Sequence, residues 1–200
     1  MTLLRSPLVW ILGLVALQRL AELTLAAFNT RRLLAKGARE VGSGHYPLFV
    51  LLHASWLVAI ALAVPIDAKP NWLVIGVFVL LQLTRIWVIA ALGPYWTTRI
   101  ITLDDAPLVR RGPYRFVRHP NYWVVVGEIA VLPLAFGAWP IALIWSLLNA
   151  GLLRHRIRVE TLALSDRGPG VRQARPAIGH PGRSAPPHRT PGGPAAWRNG

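Results

Sequence analysis

The sequence predicts an all-α integral membrane protein of about five transmembrane helices, the last two forming a helical hairpin. Three observations carry that reading. Apolar residues make up 54% of the chain and charged residues only 15%, against roughly 25% charged in an ordinary soluble domain. The apolar residues fall in runs close to the roughly 20 that a spanning helix needs. The connections between runs alternate between basic and charge-poor, as the positive-inside rule requires of loops that face opposite sides.

The first run is about Leu8–Phe28. With Arg5 before it, it has the outline of a signal peptide, but it is longer than an h-region and carries Arg19 and Glu22 toward its far end, so a retained helix is favoured. A basic loop, Asn29–Tyr46, follows. The second helix is predicted over Pro47–Val64 and ends at Pro65. A short connection, 66–71, then turns the chain into a third helix at Trp72–Leu92, which Gly93-Pro94 stops because proline cannot continue the backbone bonding. Residues 93–120 are polar and basic and read as one long loop. The stretch Asn121–Leu153 is too long for one span, and Pro133, Gly137 and Pro140 interrupt it. It reads as a hairpin turning near Phe136–Trp139, with its second arm extending through Arg154–Leu164.

Charge sets the orientation. Basic segments at 29–46 and 93–120 and a basic C-terminus alternate with the poor connections at 65–71 and 136–140. Five spans with the N-terminus outside and the C-terminus in the cytoplasm satisfy that pattern, in what is expected to be a bacterial inner membrane. Trp10, Trp72 and Trp139 are then expected near the outer interface and Trp96 near the inner one. Two domains result: a membrane-embedded one over 1–164, and a tail over 165–200. The tail is rich in Pro, Gly and Arg and nearly free of large apolar residues. Such a segment cannot offset its ordering entropy and reads as disordered.

Composition also excludes classes of function. With no cysteine there is no disulfide framework, thiolate zinc site, iron–sulfur cluster or cysteine nucleophile. The six histidines show no metal-ligand spacing, so no metal is expected. The net charge of +14 follows the membrane boundaries and the tail without aromatic interleaving, so no nucleic-acid partner is expected either.

Ionisable groups at membrane depth are costly and normally face a bundle interior or a polar cavity. Arg19 and Glu22, three residues apart, read as a structural pair. Arg85 and Gln82 on the third helix and Glu128 on the fourth are the other such groups. Glu128 has no local cation, so it is expected to reach across to Arg85 or Arg19. His53 lies alone in an apolar stretch and reads as a packed histidine with one satisfied hydrogen bond. Arg154, Arg156, Arg158 and Glu160 read as a charged boundary surface of snorkelling arginines, with an Arg156–Glu160 pair four residues apart. The segment Arg111–Tyr122 is different. A basic loop explains its arginines, but not its Gly-Pro-Tyr and His-Pro-Asn-Tyr turns. Pro120 can open a helix whose free amides favour a carboxylate or phosphate.

Here the sequence resembles the isoprenylcysteine carboxyl methyltransferase family. GPYRFVRHPNY at 112–122 and RIRVE at 156–160, separated by an apolar hairpin, carry the resemblance. QRLAEL at 18–23, GHYPLFVLLH at 44–53 and LGPYWTTRI at 92–100 are similar to a bacterial branch of that family associated with O-methylation of long-chain polyketides, alkylpyrones and alkylresorcinols. The resemblance covers about residues 10–164. It implies an S-adenosylmethionine-dependent O-methyltransferase with a cytoplasmic cofactor site, and a lipophilic or prenylated acceptor reaching that site from the membrane lipids. His119, Pro120, Tyr122, Tyr114 and Glu160 are then implied as cofactor-binding, and Arg118, Arg156 and Glu160 as catalytic. A carboxylate acceptor needs no general base; a phenol or enol benefits from one.

Two departures stand out. The family usually has a second acid after the first, where this chain has Thr161, and the family's Arg-Pro-aromatic ending is replaced by the tail. The tail has the composition that a GC-rich gene yields when read in a shifted frame, which puts competence of the chain in question. Two alternatives therefore stay open: an NADPH-dependent membrane reductase of related architecture, and a catalytically impaired lipid-binding or scaffold protein.

Overall fold

The computed structural model of the chain describes residues 5–41, 46–103 and 110–165; the side chains of Glu160 and residues 162–165 lie outside that description. In order, the elements are α1 (Pro7–Ala35), β1 (Arg39–Val41), α2 (Tyr46–Ala63), α3 (Trp72–Leu92), β2 (Ile100–Thr102), α4 (Pro120–Ala135) and α5 (Trp139–Ser165), with short 3₁₀ turns at Gly93–Tyr95 and Gly112–Arg115. Helices α1, α2 and α3 are long and apolar enough to cross a membrane. Helix α4 is apolar but has 16 residues, about 24 Å at 1.5 Å per residue, short of a hydrocarbon core of about 30 Å. The outer faces are apolar, with Leu17, Leu51, Leu62, Leu73, Leu80 and Trp123 all exposed. A surface of that kind is an aggregation hazard in water and a matched one in lipid. The chain is an integral membrane protein.

Local chemistry explains where the helices begin and end. Ser6 caps α1 by accepting from the Val9 N–H, with Pro7 at the first helical position, where its missing N–H is of no consequence. The Asn71 side chain caps α3, accepting from the Leu73 and Val74 N–H groups at 3.1 and 3.3 Å. Helices α1 and α4 both stop in the same paired turn. The Gly37 and Ala38 N–H groups donate to the Leu34 and Leu33 carbonyls, and those of Gly137 and Ala138 to Leu134 and Pro133. Gly37 and Gly137 sit at φ of 86° and 72°, a region glycine adopts without the strain a Cβ brings.

The charge-poor connections share one end of the bundle. There the Ser6 hydroxyl donates to the Ile66 carbonyl, and the Asn71 N–H donates to the Ala135 carbonyl at 2.7 Å. The N-terminus of α1, the α2–α3 connection and the α4–α5 turn therefore meet. Trp56, Ile60, Phe78, Ile129 and Leu132 belong to the apolar core that packs the helices together. At the other end, β1 and β2 pair antiparallel, from Arg39 opposite Thr102 to Val41 opposite Ile100. The basic segments gather there.

Three expectations change. Helix α1 runs past Phe28 to Ala35, where a loop was expected. The added turns are held because the buried Asn29 amide donates to the Trp96 and Gly93 carbonyls at 2.9 and 3.3 Å. The bundle is not wholly α-helical, since β1 and β2 form a small ladder fixed by pairing distant in sequence. Trp96 is not an interfacial aromatic: it is 3% exposed, beneath that Asn29 clamp. The tail beyond Ser165 lies outside the described residues.

Candidate functional site

Four ionised side chains from three helices close into a ring. On α1, Arg19 donates to Glu22 Oε2 at 2.9 Å and to Glu128 Oε2 of α4 at 2.7 Å. On α3, Arg85 donates to Glu22 Oε1 at 2.6 Å and to the same Glu128 oxygen at 2.7 Å. Each arginine bridges both carboxylates, and Gln18 adds a hydrogen bond to Glu22 at 3.0 Å. The Glu128 side chain is 1% exposed and that of Arg85 is 7%. Two charges of each sign cancel, which is how a buried ionic group becomes tolerable. The expected Arg19–Glu22 pair and the reach of Glu128 are both present, and Glu128 reaches both arginines.

Arg19, Glu22 and Arg85 also line a cavity of about 340 Å³ between α1, α2 and the basic end of the bundle. Its α2 wall is a single helical stripe: Tyr46, Phe49, Val50, His53, Ala54 and Leu57. From Tyr46 to Leu57 that stripe runs about 16 Å along the helix, so the cavity reaches well into the apolar zone. Leu20 and Val50 line it and are also 62% and 38% exposed on the outer surface. They are exposed apolar residues of α1 and α2 at the edge of the cavity. His53 Nδ1 lies 2.8 Å from the Phe49 carbonyl. A carbonyl only accepts, so Nδ1 carries the hydrogen.

At its basic end the cavity is lined by Trp96, Thr97, Thr98, Asn121, Tyr122 and Arg156. Arg156 Nε donates to the Tyr122 hydroxyl at 3.0 Å and Nη1 to the Thr98 carbonyl at 2.9 Å. Its guanidinium lies over the Phe49 ring at 5.3 Å and the Tyr122 ring at 5.8 Å. His119 stacks on Tyr122, with centroids 5.1 Å apart and planes 11° from parallel. Pro120 is the first residue of α4, buried, and His119 stands at the helix start without a side-chain cap bond. The buried Asn121 Oδ1 has no hydrogen-bond partner among the described residues.

The two distant motifs thus meet, since Tyr122 and Arg156 touch and His119 backs Tyr122. Tyr114 is half-buried in the 3₁₀ turn Gly112–Arg115, away from the cavity lining. Arg118 is exposed and does not line the cavity either. Glu160 continues α5 one turn past Arg156, but its side chain is outside the described residues. Sequence reasoning missed the wall built by Trp96, Thr97 and Thr98, the Phe49 ring under Arg156, and the place of His53 on the cavity stripe. The α2 stripe had a readable signal in its three- and four-residue spacing. The others depend on contacts between distant segments.

Residues 73–166 match the sequence model of the Isoprenylcysteine carboxyl methyltransferase (ICMT) family. An uncharacterized protein of Bacillus subtilis (strain 168), YpbQ, is 36% identical over 162 residues, spanning 78% of this chain and 96% of the relative. An uncharacterized protein of Haemophilus influenzae is 30% identical over 156 residues, 74% of this chain and 88% of that protein. No solved structure matches the chain.

Proposed function

The chain belongs to the isoprenylcysteine carboxyl methyltransferase family, whose members are membrane methyltransferases, and we propose that it transfers a methyl group from S-adenosylmethionine to an oxygen of a lipophilic acceptor. One observation carries this reading. A single cavity joins exposed apolar residues of α1 and α2, Leu20 and Val50, to a polar end at Asn121, Tyr122 and Arg156. A lipid-dissolved acceptor and a polar methyl donor can meet there without either leaving its own phase.

The residues present fit the cofactor. The buried, unpartnered Asn121 Oδ1 is an acceptor suited to an amino group. The guanidinium of Arg156 and the start of α4 suit an amino-acid carboxylate. The Phe49 and Tyr122 rings flanking that end suit a sulfonium, by the attraction of a cation for an aromatic face. When bound, the cofactor supplies an electrophilic methyl group. In this reading His119 and Pro120 fix the Tyr122 ring, Tyr114 supports the loop before them, and Arg118 guards the aqueous mouth. Glu160 supplies a carboxylate to oppose the sulfonium charge. Holding both reactants in line accounts for much of the rate in such a displacement.

We assign the acceptor to hydroxyl-bearing long-chain polyketides of the alkylpyrone or alkylresorcinol kind, with a prenylcysteine-type carboxylate as the competing class. In this reading the basic end faces the cytoplasm and the N-terminus lies outside, with α4 and α5 taken as the two further spans in a bacterial inner membrane. Membranes carrying the full chain, given methyl-labelled S-adenosylmethionine and either acceptor, provide the test. Label is expected in organic-extractable alkylresorcinol and is expected to vanish in His119→Ala and Glu160→Gln. Absence of label in both acceptors, from protein shown to be inserted, would overturn the proposal.

A further inference from the structure

We propose that His53 is a catalytic base that takes the proton from a hydroxyl acceptor, so that the cavity serves phenols or enols rather than carboxylates. The inference rests on the methyl-transfer reading above and goes further, to the residue that activates the hydroxyl acceptor.

The His53 Nδ1–H donates to the Phe49 carbonyl, which leaves the lone pair of the neutral ring on Nε2. Among the described residues, the hydrogen bond seen for the ring is the one at Nδ1. The ring lines the cavity and is steadied by an edge contact to Trp56 at 6.5 Å. Position follows from the helix. His53 lies one turn deeper than Phe49, about 6 Å along the axis, and Phe49 is the ring beneath Arg156. The imidazole therefore stands between the polar end, where the methyl donor is placed, and the apolar depth that receives an alkyl chain.

Elimination of the other groups supports the choice. Those facing His53 across the cavity are Arg19 and Glu22 of α1, Arg85 of α3, Tyr122 of α4 and Arg156 of α5, with Tyr46 on its own helix. The arginines are permanently charged donors. The Glu22 oxygens are engaged by both ring arginines and by Gln18. The two tyrosines are weak acids. Among the described residues lining the cavity, His53 is the remaining base. A carboxylate acceptor arrives already ionised and has no use for one, whereas a phenol does.

The acceptor O–H bond breaks, its proton goes to Nε2, and the electron pair stays on oxygen. That oxygen takes the methyl from the sulfonium donor, which leaves as a neutral thioether. The imidazolium then returns its proton to water at the basic end.

The full chain in lipid nanodiscs gives a readout that needs no methyl donor. A long-chain alkyl nitrophenol, whose phenolate is coloured, is expected to bind to wild type with a larger ionised fraction than to His53→Gln at the same pH, the cavity arginines being common to both. Equal ionisation in the two proteins would overturn the role of His53. Methylation of an alkylresorcinol is expected to fall about 10²–10⁴-fold in His53→Gln, the usual range for losing a general base. Added imidazole is expected to restore part of it in His53→Gly, which loss of packing alone does not allow. Two failures are distinguishable. An enzyme that methylates only carboxylates removes the hydroxyl reading, whereas equal hydroxyl turnover in wild type and His53→Gln removes the base and leaves methyl transfer standing.

Discussion

Two arginine assemblies border the same cavity and are built on opposite plans. In the α1–α3–α4 ring, two arginines meet two carboxylates, and Arg85 is buried among them. At the basic end, the hydrogen-bond partners of Arg156 among the described residues are neutral, a phenol and a backbone carbonyl. Among the described residues its positive charge meets no carboxylate. A charge that is cancelled inside the protein holds helices together. One that is left over, at the polar end of a cavity, has affinity to offer an anionic ligand. The contrast separates the structural part of the site from its binding part, although both are arginine-rich and both lie at the membrane.

Breaking the ring is expected to have the largest effect. Arg85→Leu leaves Glu22 and Glu128 sharing one cation in a buried setting, and losing one partner of such a group costs about 3–5 kcal/mol. Thermal unfolding in detergent should show a clear drop. The double variant Arg85→Leu with Glu128→Leu retains the Arg19–Glu22 pair, and is expected to lose less than the sum of the two singles. Strict additivity would show that the four groups do not act as a unit.

Arg156→Met probes the other assembly. No buried carboxylate is stranded among the described residues, so stability is expected to change by about 1 kcal/mol or less. Cofactor affinity is expected to fall by about 1.5–3 kcal/mol, the range for a hydrogen bond to a charged group, or roughly 10- to 150-fold in Kd. Calorimetric titration with S-adenosylmethionine measures this directly. Loss of fold with affinity unchanged in the remaining folded protein would reverse the two assignments.

Asn29→Ala tests the seam between the regions. The Trp96 and Gly93 carbonyls lose their donor, at a cost of about 1–2 kcal/mol. Because Trp96 and its neighbours Thr97 and Thr98 wall the polar end, KM for the acceptor is expected to rise more than kcat falls. An unchanged KM would show that the wall does not need its anchor.

These regions were not equally visible in the sequence. The helices could be read closely: Trp72–Leu92 is the α3 predicted, and the hairpin turn falls at Gly137 as expected, because proline, glycine and apolar run length are local signals. The ring was half visible. Arg19 and Glu22 announce themselves three residues apart, and an unpartnered Glu128 demands a cation, but closure through Arg85 is a fact of packing. The basic end was read through the spacing of its motifs, which gave Tyr122 and Arg156 but not Phe49 or Thr98. The end of α1 was misread because Asn29 and the Arg31-Arg32 pair look like a loop until the carbonyls that hold Asn29 are in place. The ladder of β1 and β2 has three residues a side, too short for any period to show.

A third arginine pair supplies the smallest effect and an internal control. Arg99 of the segment before β2 grips both oxygens of Glu40 in β1, at 2.9 and 3.0 Å, and lies 4.7 Å from the centre of the Tyr46 ring. Its geometry is as good as that of the ring, but its side chain is 40% exposed. Water therefore solvates both charges in the unpaired state, and an exposed pair contributes only about 0.2–1 kcal/mol. Arg99→Ala should lower stability by no more than that, with the loss shrinking further at high salt. Arg85→Leu, whose pair is buried, should be nearly insensitive to salt. If Arg99→Ala instead destabilised the fold as much as Arg85→Leu, burial would not be what distinguishes the ring, and the assignment of Arg156 by its unmatched charge would lose its premise.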